Sequence, residues 1–565
     1  MHKTSVLLLV ILIWFAATVR AQTTPPVADD DPTFSLREQI DQALMSLDQH
    51  SPDSSAGRVV DDAGFLRRIT LDLAGRIPTA VELNSFVSDS TSEKRPQMIE
   101  SLLDSPQYAR RMRDQMHVML MERLGDDPAW LDYLETAFAE NRPWDQICRE
   151  ILDPAAGDEA RRGAAFFWTR RLEKYGQNPV DHPALTRDVG RLFLGVDLQC
   201  AQCHDHLFVH DYTQASFQGL AAFTGHTFIR NDVAFPAVGE KVLTAPVEFA
   251  SVFSGEQMKT GPRLPGGNEV EIPTFTKDEQ FAVPPDKATK FPGQPRFRPL
   301  AVLAQQVTAA DNQQFAVNSV NRFWFLMFGR GLVMPLDLHH SDNPPTHPEL
   351  LQQLASEFKS HGYDIRWLLR EIAQTQAYQA SSRMRDSDQQ PTESAYAVAW
   401  ERSLSAEQLL ASFVVATGQQ DLMAIALADG QNTGESDSAT DAAAAAAAEK
   451  WMKQLGRFRD AFANIPRDPE VDYRPSVKAS LFLMNDASLV SWFEPHSGST
   501  VEQLVKLSDN QIPTALYQTA LSRDPTAEET EFVGELLATR DMARERMIGH
   551  LLWGLLASSE FSLNH

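Results

Sequence analysis

The sequence predicts a mainly α-helical protein, with two helical regions joined by a short β-rich or irregular segment. Three observations predict it. Apolar residues recur at spacings of three and four along most of the chain. The stretches that carry this pattern begin and end on capping residues. Between Thr227 and Phe297 the texture changes to short Val-, Phe-, Pro- and Gly-rich runs with local alternation, as strands and loops require. At 565 residues the chain has room for more than one hydrophobic core. Its 43% hydrophobic and 22% charged residues are ordinary for a globular protein.

In chain order, residues 1–21 read as a secretory signal. His2 and Lys3 supply a basic start, SVLLLVILIWFAATV is an apolar core shorter than a comfortable membrane span, and Val19-Arg20-Ala21 ends in a cleavage site. Residues 22–34 form a polar, proline-bearing linker. The expected location is therefore outside the cytoplasm, periplasmic or extracellular, with no membrane span once the signal is removed.

Residues 35–226 form the expected N-terminal helical domain. LREQIDQALMSL and AGFLRRITLDLAG are amphipathic helices, the second stopping at Gly75. Thr79 and Glu82 then make a capping box. Residues 227–297 are the β-rich or irregular connection, and residues 298–565 the C-terminal helical domain. There one or two helices stop at Gly329 and Gly331. NPPTHPELLQQLASEFKSHG is a further helix, with Thr346 as its expected cap, Pro348 in its first turn and Gly362 at its end. Residues 429–450 are a low-complexity loop whose alanine half has helical propensity. Arg-x-Pro-Thr-x-x-Glu occurs at Arg76 and again at Arg523, with Thr526 and Glu529. Good helix starts look alike, so the reading is similarity without an internal repeat.

The formal net charge of -25 argues against nucleic acid and anionic lipid as partners. The chain holds three cysteines, too few for a disulfide scaffold. Cys148 sits on an apolar helical stripe and reads as a small buried hydrophobe. The other two lie in LQCAQCHDHLFVHDY.

Cys200-Ala201-Gln202-Cys203-His204 is Cys-x-x-Cys-His, the attachment pattern of c-type haem. Two thiols at that spacing reach both vinyl groups of one porphyrin, and the adjacent His204 lies under the iron. A redox or electron-transfer protein with a separate redox partner follows from this reading. Candidates for the opposite axial position are His226, His117, Met116, Met327, Met334, His339 and His340, and a five-coordinate iron is equally compatible. A second reading is a bare Zn, Fe or Cu site, in a hydrolase or oxidoreductase acting on extracellular material. Cys200, Cys203, His204, Asp205, His206, His210 and Asp211 supply its ligands. A third is a non-catalytic protein with a Cys200–Cys203 disulfide.

Helices frame this loop. HPALTRDVGRLFLG ends at Gly195, and DYTQASFQGLAAFTG follows with Asp211 as its expected cap. A second polar cluster, Arg330, Asp337, His339, His340, Asp342, Asn343 and His347, precedes a helix start. It suits anion binding or acid–base work, or simply a turn. No Gly-rich phosphate loop, nucleophile elbow or metalloprotease motif appears.

FLGVDLQCAQCHDHLF resembles the signature of the planctomycete-type secreted proteins that pair a cytochrome-like domain of unknown function, centred on CAQCHDHPFD, with a C-terminal companion domain of unknown function. DDAGFLRRITLDLAGRIPTAVELNSFV resembles the opening of the first domain. VNRFWFLMFGRGLVMPLDLHHSDNPPTHPELLQQLASEF and LLASSEFSLNH resemble parts of the second. The resemblance implies a core of Cys200, Cys203, His204, Asp205 and His206, and no established activity. This chain departs where the signature has Pro and Asp, carrying Leu207 and Val209 instead, with His210 or Asp211 as stand-ins.

Overall fold

The computed structural model describes residues 35–45, 59–382, 393–427, 438–468, 476–539 and 542–565. The expected signal and linker, residues 1–34, lie outside them. Helices dominate the described residues, as the periodicity requires. Among them strands occur only as small two-stranded antiparallel ladders. Three of them fall in the connecting segment: Thr227–Ile229 with Val238–Glu240, Val247–Ala250 with Gln257–Thr260, and Phe281–Val283 with Gln294–Pro295. The fourth joins Arg402–Ser403 to Leu563–Asn564.

Helix ends follow local chemistry. Asp61 caps the helix Asp62–Leu73, accepting from the Gly64 N–H at 2.8 Å. Gly75 then adopts φ +74°, which a Cβ would strain. Two expected caps move. The helix Pro348–Ser360 has His347, not Thr346, at its N-cap; Thr346 instead donates its N–H to the Leu332 carbonyl. The helix Gln214–Thr224 is capped by Thr213, not Asp211. The alanine-rich half of the expected 429–450 loop is part of a 25-residue helix, Ser438–Phe462; its polar half, up to residue 437, lies outside the described residues.

The twice-occurring Arg-x-Pro-Thr-x-x-Glu is more than a shared helix start. Arg76 forks onto Glu82 at 2.8 and 2.7 Å, and its Nε reaches Gln107 at 2.9 Å. Arg523 forks onto Glu529 at 2.8 and 2.8 Å, and its Nε reaches Glu560 at 2.6 Å. In both copies the threonine hydroxyl accepts from the glutamate N–H at 3.2 Å. Gln107 and Glu560 sit in matching contexts, LLDSPQY and LLASSEF. The same arginine–glutamate fork and threonine cap are thus built twice. Thr526→Ala removes one exposed cap and is expected to lower stability by ~1 kcal/mol, read as a shift in the urea midpoint.

The buried side chains fall into two clusters. One cluster of buried side chains runs from Ile40 to Tyr396 and takes in the helices Gln313–Phe328, Pro348–Ser360 and Ile365–Ala373. The other runs from Leu404 to Phe561 and also holds Leu71 and Ile77. The helix Asp62–Leu73 is buried on all sides from Phe65 onward, so it feeds both cores. Between them Asp72, buried, binds Arg402 at 2.8 and 2.7 Å, the Tyr378 hydroxyl at 2.7 Å and Asn564 at 2.8 Å.

Candidate functional site

The helix His182–Leu194 ends at Gly195, whose φ is +69°. A Cβ there would come within 2.6 Å of His339 Cδ2 and 2.7 Å of Asn318 Oδ1, so only glycine fits. The chain then enters a short 3-10 turn, Cys200–Gln202, in which the Cys203 N–H donates to the Cys200 carbonyl at 3.4 Å. Residues three apart lie on one side of such a turn, which gives the two thiols a common face. Both cysteines are exposed and unbonded, so the structure does not contain the expected Cys200–Cys203 disulfide. Cys148 is buried and free, as its stripe requires.

The turn is held from several sides. Arg187 donates to the Gln202 side chain at 2.6 Å, Gln218 to the Gln202 carbonyl at 3.2 Å, and the Val252 N–H to the Cys203 carbonyl at 3.1 Å. The last bond comes from the β-rich segment, which thereby forms one wall of the site.

The two histidines differ in the nitrogen they leave available. His204 Nδ1 lies 2.7 Å from the Asp205 carbonyl, which can only accept. Nδ1 therefore donates, and Nε2 is the nitrogen left to act as a ligand. His206 Nδ1 accepts from the N–H groups of Phe208 at 3.2 Å and Val209 at 2.9 Å. Its proton is therefore on Nε2, and neither nitrogen has a lone pair to offer a metal.

The remaining ligand candidates are occupied or apart. Asp205 accepts from the Gln214 N–H at 2.7 Å, and Asp211 from the Ser341 N–H at 2.6 Å. That second bond is the chief reason the Asp211 carboxyl sits below its usual range. His210 is exposed. Among the described residues no three His, Cys, Asp or Glu side chains converge as a metal site.

The second polar cluster splits in two. Its His339–Ser341 part packs on the cysteine loop. The Tyr212 hydroxyl donates to the His339 carbonyl at 3.1 Å, the His340 ring lies 5.4 Å from Tyr212, and the His339 N–H donates to the Gly195 carbonyl at 3.0 Å. Arg330, Asp337 and His347 do not form one site. Asp337 is taken by Arg191, at 2.7 Å, and by Arg322. Arg330 and His347 instead meet Tyr396, through the Arg330 carbonyl at 3.3 Å and the His347 ring at 5.8 Å. Asn343 makes the turn, donating to the carbonyls of Met334 and Leu338.

The expected axial candidates fare unevenly. Both ring nitrogens of His117 are engaged, by Asp126 at 2.7 Å and by Trp130 Nε1 at 3.1 Å. Met116 and Met327 are buried in the core. Burial, with the Arg322 cation nearby, holds His339 down at about 4. His226 is half-buried and lowered by that burial, then by Lys241 and His182. Met334 lines a cavity, described below.

Sequence reasoning missed the apolar rim. Leu207 (63% exposed), Phe208 (79%), Val252 (66%) and Phe253 (69%) surround the cysteine turn, and the Phe253 ring lies 4.5 Å from that of His204. Leu207 and Phe208 lie inside the motif quoted above. Val252 and Phe253 are 49 and more residues from Cys203, and nothing in their local pattern ties them to it.

Two family models match the chain. One, described as a protein of unknown function (DUF1549, PSCyt2), matches residues 39–227. The other, described as a protein of unknown function (DUF1553, PSD1), matches residues 301–537. Comparisons with curated proteins and with solved structures find no match. No helix among the described residues is long and apolar enough to cross a membrane.

Proposed function

The chain carries the paired DUF1549 and DUF1553 domains of unknown function typical of planctomycete-type proteins, and we propose that it is an exported c-type haem protein that passes electrons to a separate partner. The observation that carries this reading is the pairing of two exposed thiols on one turn with a His204 ring whose Nδ1 is taken by a carbonyl, which leaves Nε2 as the nitrogen open to a ligand role. Haem c, when bound, supplies one-electron transfer. Cys200 and Cys203 would hold it by thioether bonds, and His204 Nε2 would face the iron. The Nδ1–H bond to the Asp205 carbonyl fixes the tautomer and ring orientation that an axial ligand needs. The exposed rim of Leu207, Phe208, Val252 and Phe253 offers an apolar bed for a porphyrin, burying side chains that water now meets. The bare-metal reading is not proposed, since His206 Nδ1 accepts backbone N–H groups and no three ligand side chains converge among the described residues.

The test is an intact mass of protein exported from a host that matures c-type cytochromes. A gain of one haem with a Soret band, both lost in Cys200→Ser/Cys203→Ser, is the expected result. A bare-chain mass from a host that loads a control cytochrome sinks the proposal.

A further inference from the structure

A cavity of about 570 Å³ opens between the two cores, away from the cysteine turn. The helices Pro106–Met121, His182–Leu194 and Gln313–Phe328 wall one side, and Ala406–Thr417 and the end of Ser438–Phe462 wall the other. Its size is that of a small-molecule site. The wall is rich in charge, and most of its arginines are matched by carboxylates. Arg123 forks onto Glu407 at 2.6 and 3.1 Å, Arg191 binds Glu122 and Asp337, Arg322 binds Asp337, and Arg402 binds Asp72.

Among the described residues of the wall Arg111 is the unmatched cation, and Glu401, which is exposed, the unmatched anion. Arg111 lines the cavity and is only 7% exposed. Among the described residues its one bond runs from Nε to the Asp72 carbonyl at 3.4 Å, and no carboxylate pairs with its guanidinium. Burial lowers its pKa to about 10, with Asp72, Asp114 and Glu407 acting the other way, so it is cationic at neutral pH. A buried cation without an anion costs several kcal/mol, and such groups are normally paired. The terminal nitrogens of Arg111 thus present an unfilled two-pronged donor beside the apolar side chains of Leu192, Phe325 and Leu326.

We propose that this cavity binds a small organic carboxylate, its two oxygens on the Arg111 fork and its apolar body against Phe325 and Leu326. A planar carboxylate matches the guanidinium geometry, and a single negative charge satisfies one cation. A phosphate dianion fits less well, because Asp72, Asp114 and Glu122 line the same cavity and repel a second charge.

The test is calorimetric titration of the full chain with benzoate, with its neutral analogue benzyl alcohol, and with inorganic phosphate. Benzoate is expected to bind at millimolar or tighter affinity, at least ~10-fold more tightly than benzyl alcohol. Arg111→Gln, folded by circular dichroism, is expected to lose at least ~10-fold of the benzoate affinity. No benzoate binding up to about 10 mM, equal binding of benzyl alcohol, or an Arg111→Gln protein that keeps its affinity overturns the proposal. Phosphate binding tighter than benzoate overturns the carboxylate class. If the variant does not fold, the benzoate and benzyl alcohol comparison on the unaltered protein decides.

Discussion

Asp72→Ala is expected to destabilise the protein by ~3–5 kcal/mol, the range for removing one partner of a buried, hydrogen-bonded charge pair. The carboxylate is 2% exposed and accepts from three side chains drawn from distant parts of the chain. Without it, the Arg402 charge loses its counter-ion, and the Tyr378 hydroxyl and Asn564 amide lose a buried acceptor. Arg402 keeps its bond to the Leu326 carbonyl at 2.6 Å, which limits the loss. Guanidinium denaturation of the two proteins measures it. A difference under ~1 kcal/mol, the scale of exposed pairs, would mean that the two cores are not joined through this residue.

Glu407→Ala is expected to cost a similar ~3–5 kcal/mol, and its cost depends on pH. Glu407 is buried at the second-core face of the cavity, between Arg123 and Arg459, with its closest contacts at 2.6 and 2.8 Å. Burial alone would raise its pKa. The two guanidinium groups outweigh that and hold the carboxyl well below the ordinary carboxylate range. A folded pKa below the unfolded one means that the contribution is complete above the unfolded value of 4.5 and shrinks as pH falls below it. Denaturation midpoints at neutral pH and at successively lower pH should therefore show the gap between wild type and variant narrowing below about pH 4.5. A gap that stays constant on acidification refutes the charge pairing as its source.

Local signals were legible. The cap of the helix Asp62–Leu73, the Thr79–Glu82 box and the stop at Gly75 all depend on residues within a turn of one another. So was the framing of the Cys-x-x-Cys-His turn by two helices. The division of the cores was not, because every residue of Ala406–Thr417 is buried, and a helix buried all round has no apolar face for periodicity to reveal. Nor was the loss of His206 as a ligand. That follows from a turn that brings the Phe208 and Val209 N–H groups back onto Nδ1, and the same residue types in an extended loop would leave both nitrogens open. The isolation of Arg111 also escaped the sequence. Its neighbours Arg110 and Arg113 look alike in the string PQYARRMRDQM, and only packing decides which one meets a carboxylate.

The bond between Asp72 and Asn564 spans 492 positions. A ribosome delivers the chain from its amino end, so Asp72 and the helix that carries it exist long before their partner does. During that interval Leu71 and Ile77 have no second core to enter, and Arg67, which donates to the Ala520 and Phe561 carbonyls, has no acceptor from it. The last small ladder, Arg402–Ser403 with Leu563–Asn564, closes only after nearly all the rest has been made. Contacts of such sequence separation form slowly, and until they do the nascent chain shows apolar surface to its surroundings. A folding helper that shields the first half until the second arrives would therefore raise the yield of native protein more than it would for a chain whose neighbours in space are neighbours in sequence.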